Sequence, residues 1–144
     1  MLPEIVQDLP IRAPLADVFD AVSRPAGLNE WWTKSSRGEP ALDAEYELGF
    51  GAGYDWRAKV SAFDAGHAFE LTMTQADPDW LHTRVGFTLE RKDQLTWLRF
   101  HHAGWPSVNE HYRVSCHCWA MYLRVLRRFL DFGESVPYDQ RLDI

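Results

Sequence analysis

Between Glu45 and about Ala103, apolar side chains recur at every second position of the sequence. This alternation predicts strands, because successive side chains of a strand point to opposite faces. The linkers GAG, DAG, ADPD and KDQ are short and rich in turn-forming residues, and such turns join antiparallel neighbours. The stretch therefore predicts an antiparallel meander with one apolar face and one polar face. The inward set includes Tyr46, Leu48, Phe50, Tyr54, Trp56, Ala58, Val60, Phe69, Leu71, Met73, Leu81, Val85, Phe87, Leu89, Leu98 and Phe100.

The segments on either side of the meander follow other patterns. Residues Glu4 to Arg12 predict a first strand, with Pro10 indicating an edge position or a bulge. Helical spacing after Pro14 predicts a short helix that Pro25 ends, and a second short helix is predicted to end in a pair of tryptophans. A polar loop is predicted for the segment TKSSRGEPALDA that follows.

The last predicted element is a long helix. Ser107 and Glu110 fit a capping box after Pro106, and Gly133 is a suitable C-terminal stop. Apolar residues recur here at intervals of three and four positions, and this spacing places their side chains on one face of a helix. That face consists of Tyr112, Cys116, Trp119, Leu123, Leu126 and Leu130.

Composition narrows the classes of function. A chain of 144 residues in which 46% are hydrophobic predicts a single domain over residues 1–144 with a substantial core. The net charge of −6 argues against nucleic acid or an anionic membrane as the main partner. No apolar run is long enough to span a membrane, and the N-terminus lacks the pattern of a signal peptide. A cytoplasmic location with reduced thiols is the expectation.

The stretch EHYRVSCHCW concentrates two histidines and both cysteines in ten residues. On a helix, Cys116 and Cys118 project about 200 degrees apart, so they cannot chelate one ion. His111 and Cys118 share a face with Ser115, which supplies two ligands at most. The sequence therefore predicts neither a metal site nor a redox pair, and no cofactor is expected.

His102 continues the apolar side of the last strand after Leu98 and Phe100, so it is predicted to point into the concavity of the sheet. A buried imidazole needs hydrogen-bond partners. Three interpretations stay open at this point. In the first, the backbone or Tyr112 supplies the hydrogen-bond partners of the imidazole. In the second, the imidazole orients a ligand in an apolar pocket. In the third, it acts as a general acid or base.

The order of strand, two helices, meander and long helix is that of the helix-grip fold. The segments IRAPLADVFDAVSRPAGLNEWWT, FGAGYDWRAKV, DWLHTRVGFTLE, FHHAGWP and CWAMYLRVLRRFLDFG resemble the START-like SRPBCC superfamily. Within it, they are similar to proteins related to the C-terminal domain of the activator of the heat-shock-protein-90 ATPase. The resemblance runs from Ile11 to Gly133. It implies an α+β fold with a curved six-stranded antiparallel sheet wrapped around a long C-terminal helix, and two short helices after the first strand.

In this superfamily a cavity opens between the sheet and the long helix. By that resemblance, the half of the helix around Trp119 is expected to cover the cavity, with Trp31 and Trp105 nearer its mouth. Filling of an ordinary core is the alternative role for each aromatic residue. The predicted ligand-binding residues are Trp56, Phe69, Phe100, His102, Tyr112, Cys116, Trp119 and Trp31.

The resemblance leaves three functions open. The first is binding of a small hydrophobic or aromatic ligand in the cavity. The second is an aromatase/cyclase-like enzyme in which His102 and Tyr112, with Arg84 or Arg99, move protons. The third is a chaperone cofactor that acts through protein contacts. A homodimer is a further prediction, because Trp80 and Trp97 are expected on outer faces.

Overall fold

The computed structural model describes residues 2–144. Seven strands form one antiparallel sheet in the order β1-β7-β6-β5-β4-β3-β2. The strands are β1 (Glu4–Ile11), β2 (Ser35–Arg37), β3 (Glu45–Gly49), β4 (Asp55–Asp64), β5 (Ala68–Gln75), β6 (Arg84–Lys92) and β7 (Leu95–Ala103). The helices are α1 (Leu15–Ser23), α2 (Pro25–Trp31) and α3 (Glu110–Phe132), followed by a C-terminal 3-10 helix (Tyr138–Asp143). The α+β helix-grip prediction is confirmed.

The meander forms because alternating side chains give each strand one apolar face. In β4, Ala58 and Val60 are fully buried while their neighbours Arg57 and Lys59 are exposed. The register between β4 and β5 shifts near Ala58 and again after Val60. Such bulges bend a sheet, and the bend lets it curve around α3.

The two short helices pack tightly against each other at Gly27. A Cβ atom at this position would lie 2.5 Å from the Cα of Ala21, so only glycine permits the approach. The indole Nε1 of Trp31 donates to the carbonyl oxygen of Ala21 at 2.9 Å and fixes the pair further. This packing leaves the adjacent Trp32 in contact with α3 through Trp119.

Three details differ from the sequence prediction. The sheet has seven strands rather than six, because the segment predicted as a polar loop contains β2. The cap of α3 is Asn109, whose side chain accepts from the backbone N–H of Tyr112 at 2.9 Å, instead of the predicted box of Ser107 and Glu110. Trp80 is only 8% exposed and lies inside, where an outer position was predicted.

Other boundaries agree with the prediction. Pro10 lies in β1, which is an edge strand of the sheet. Gly133 ends α3 in the left-handed conformation with φ 65°. No helix within residues 2–144 is long and apolar enough to cross a membrane.

Candidate functional site

His102 lies in the core and is 0% exposed. The indole Nε1 of Trp119 donates to its Nδ1 at 3.0 Å, so Nδ1 is the acceptor nitrogen and Nε2 carries the proton. Nε2 then donates to the hydroxyl of Thr83 at 2.8 Å. That hydroxyl donates in turn to the carbonyl oxygen of Trp80 at 2.6 Å. Both ring nitrogens are therefore engaged inside the protein.

The surroundings of His102 keep its ring neutral. Burial, followed by the charges of His101 and His111, lowers the pKa of His102 from 6.5 to about 3. Tyr112, predicted as a possible partner of this ring, does not contact it through a hydrogen bond. Its hydroxyl donates instead to the carbonyl oxygen of Glu4 at 3.1 Å. The geometry of His102 corresponds to a hydrogen-bonded core residue.

Beside His102, five aromatic side chains form a closed ring of contacts, here called the aromatic ring. The members in order are Trp32, Phe50, Trp56, Trp80 and Trp119. Their successive centroid separations are 5.5, 5.2, 5.1 and 5.8 Å, and Trp119 returns to Trp32 at 5.3 Å. Such distances are those of attractive edge, tilted and stacked contacts, the stacked pair being Trp80 and Trp119. The five residues come from five different segments, so the arrangement exists only in the folded chain.

A pocket of about 310 Å³ opens beside the aromatic ring. It lies between the N-terminal half of α3 and the connections β3–β4 and β5–β6. Seven of its twelve lining residues are aromatic. The lining comprises Trp32, Phe50, Tyr54, Trp56, Asp77, Trp80, His111, Val114, Ser115, Cys118, Tyr122 and Tyr138. We refer to it as the ring pocket.

The β5–β6 connection brings Trp80 into the ring pocket. The backbone N–H of Trp80 donates to the carbonyl oxygen of Asp77 at 2.9 Å, which closes a tight turn. His82 then adopts the left-handed conformation with φ 69°. Strand alternation does not hold through such a turn, and Trp80 is more deeply buried than its neighbour Leu81. The predicted strand start at Trp80 is therefore wrong, and β6 begins at Arg84.

The C-terminal 3-10 helix supplies another wall of the ring pocket. The hydroxyl of Tyr138 donates to the carbonyl oxygen of Phe50 at 3.1 Å. Arg141 holds this helix in place, since its guanidinium donates to the carbonyl oxygens of Asn29 at 2.7 Å and Thr33 at 3.3 Å. Burial lowers the pKa of Arg141. Its hydrogen bonds tie the C-terminal segment to the rest of the fold.

Burial raises the pKa values of two polar groups of the ring pocket, Cys118 and Tyr122. Burial raises the pKa of the Cys118 thiol, so the thiolate is disfavoured. Burial, with smaller contributions from Tyr138 and Cys118, raises the pKa of Tyr122 to about 12. Nδ1 of His111 lies 3.2 Å from a carboxylate oxygen of Asp79. Within residues 2–144, no group of three potential metal-ligating side chains occurs.

The predicted site residues occupy different layers of the protein. Trp56 lines the ring pocket, and Trp119 completes the aromatic ring next to it. His102 and Phe100 contact Trp119, at centroid distances of 5.9 and 4.4 Å. The others lie away from this pocket, with Trp31 and Phe69 in the core and Tyr112 and Cys116 half-buried on α3. Trp31 and Trp105, both predicted near the mouth, are fully buried. The role of all eight in binding a ligand stays a prediction.

Sequence reasoning missed most of the lining. One signal was available, because His111, Ser115 and Cys118 were recognised as sharing a helix face and this face borders the ring pocket. Trp32, which lines the pocket, is the sequence neighbour of Trp31, which was predicted to bind the ligand. Alternation placed Tyr54 on the inner face of the sheet, whereas it is 51% exposed where it lines the ring pocket, and no local pattern pointed to Tyr138.

The sequence between residues 12 and 131 matches the family described as activator of Hsp90 ATPase homolog 1-like protein. The chain belongs to this family. The match spans α1 to the last turn of α3, and so includes most of the ring pocket. No curated protein matches the sequence at a significant level.

Solved structures share the fold of this family member at low sequence identity. The Aha1 dimer from Colwellia psychrerythraea is 23% identical with a TM-score of 0.84, covering 93% of this chain and 100% of that one. Protein MLL2253 from Mesorhizobium loti is 22% identical with a TM-score of 0.81, covering 92% and 99%. CalU16 from Micromonospora echinospora is 20% identical with a TM-score of 0.75, covering 96% and 72%. Similarity at this level establishes a common fold.

Proposed function

We propose that this protein binds a small hydrophobic or aromatic molecule in the ring pocket. The observation that carries the proposal is the aromatic ring beside a pocket of about 310 Å³. Small-ligand sites are concave, mostly apolar and supplied with few polar groups. A flat ligand inserted there would contact tryptophan, tyrosine and phenylalanine side chains of the lining.

Binding without chemistry is favoured over the cyclase-like alternative. None of the residues predicted for proton transfer lines the ring pocket. His102 has both nitrogens engaged, and Arg99 pairs with Asp8 at 2.9 Å between exposed side chains. The Nε of Arg84 lies 3.8 Å from Glu70. In the cyclase-like alternative as predicted, at least one of these groups would have to reach the substrate.

The neutral phenol 3-tert-butylphenol tests the proposal by isothermal titration calorimetry. We expect a dissociation constant of about 1 mM or tighter for a compound of this size. Trp56→Ala removes one member of the aromatic ring and is expected to weaken binding about tenfold. Thermal unfolding of the variant verifies that the fold survives.

Trp97→Ala is the matched control. Trp97 lies on β7 beside the exposed Arg99, outside the ring pocket, and is half-buried. Its removal is expected to leave the dissociation constant unchanged. Equal loss of affinity in both variants, or no binding by the unmodified protein up to the solubility of the phenol, would contradict the proposal.

The other sequence predictions are less directly supported. The family name refers to a chaperone activator, and contact of this chain with a chaperone stays a prediction. A homodimer also stays a prediction. Trp80 is buried and so does not support this prediction. The structurally similar protein from Colwellia psychrerythraea is described as a dimer. The cytoplasmic location is likewise a prediction.

A further inference from the structure

The lining of the ring pocket contains one carboxylate and no lysine or arginine. Asp77 lines it, and no cationic side chain of residues 2–144 forms an ion pair with that carboxylate. The one lining histidine, His111, is paired with Asp79. No lysine or arginine contributes to the lining. The guanidinium carbon of Arg141, which is not part of the lining, lies 5.4 Å from the ring centroid of Tyr138. This guanidinium donates hydrogen bonds to backbone carbonyl oxygens.

The aromatic walls add to this negative character. The faces of tryptophan, tyrosine and phenylalanine carry negative potential, and they attract cations that lie within about 6 Å of a ring centre. Trp32, Phe50, Trp56 and Trp80 adjoin one another in the aromatic ring, and Tyr54, which is half-exposed, stands at the rim. A pocket lined by several aromatic side chains and one carboxylate without a cationic partner has the composition that recognises alkylated ammonium groups.

From these observations we infer that the ring pocket selects an organic cation, a methylated ammonium carried on a hydrophobic or aromatic body. The inference rests on the proposed function and names its ligand class. A methylated ammonium has few or no N–H donors, so it needs few acceptors from the walls. A primary ammonium has three donors to satisfy. Asp77 supplies the opposite charge.

Three phenols of nearly equal shape test the charge preference by calorimetry. They are 3-hydroxyphenyltrimethylammonium, the neutral 3-tert-butylphenol and the anionic 3-hydroxybenzenesulfonate. We expect the cation to bind about tenfold more tightly than the neutral compound, and the anion to bind most weakly. Neutral binding equal to or tighter than cation binding would overturn the inference and leave the proposed function standing. Absence of binding by all three would overturn both.

Asp77→Asn locates the charge that is responsible. We expect this variant to weaken binding of the cation about tenfold more than it weakens binding of 3-tert-butylphenol. Asp64→Asn, in the last position of β4 and outside the ring pocket, makes the same change in net charge and is the control. If both variants weaken cation binding equally, overall charge is responsible and the role of Asp77 is refuted.

Discussion

Replacing His102 with alanine is expected to lower the free energy of unfolding by about 4 kcal/mol. The substitution leaves the buried indole N–H of Trp119 without its acceptor and removes the donor to Thr83. It also opens a cavity among Trp80, Trp105 and Trp119, whose rings lie within 6 Å of the imidazole. Urea denaturation of wild type and variant at pH 7 measures the difference.

His117→Ala is the control for this experiment. His117 is exposed on α3, so the same substitution there is expected to change stability by less than about 0.5 kcal/mol. If the two variants are equally stable, His102 does not organise the core, and its neutral hydrogen-bonded state would have to be abandoned.

Acidification is expected to destabilise the wild-type protein through the same residue. An unfolded histidine takes up a proton near pH 6.5, whereas burial depresses the pKa of folded His102 to about 3. Between these values the unfolded state binds more protons, so stability falls as the pH falls from 6.5 towards 3. The contribution of His102 amounts to about 3 kcal/mol between pH 6.5 and pH 4.

His102→Gln separates this effect from that of other groups. The glutamine amide keeps one acceptor and one donor but does not titrate. Carboxylates such as Asp8, whose pKa the hydrogen bond and charge of Arg99 hold below its usual value, contribute equally to both proteins. The difference in unfolding free energy between wild type and variant should therefore shrink or reverse by about 3 kcal/mol over this range. A constant difference would show that folded His102 protonates normally.

Much of the fold follows from the sequence because its signals are local. Alternation identifies the inner face of β4, where Ala58 and Val60 are buried. The prolines at positions 14 and 25 mark the starts of α1 and α2, and Gly133 marks the end of α3. The inward direction of His102 also follows from alternation. The three-residue strand β2 is too short and too polar to produce such a signal.

The site was harder to predict because it depends on contacts between distant segments. Trp80 enters the aromatic ring through a turn, where neither strand nor helix periodicity applies. Tyr138 arrives through the 3-10 helix, which is held by bonds from Arg141 to carbonyl oxygens more than 100 residues earlier. Alternation showed that His102 points inward, but it could not show that Trp119 and Thr83 would occupy both ring nitrogens.

The central claim is that a ligand binds at the aromatic ring and not around His102. Nuclear magnetic resonance of the seven tryptophan indole N–H groups, during titration with 3-tert-butylphenol, tests it most directly. We expect shifts for Trp32, Trp56 and Trp80, which line the ring pocket, and none for Trp97 or for Trp105, whose ring lies 4.7 Å from that of His102. Shifts confined to Trp97 and Trp105, or no shift at saturating phenol, would contradict this claim.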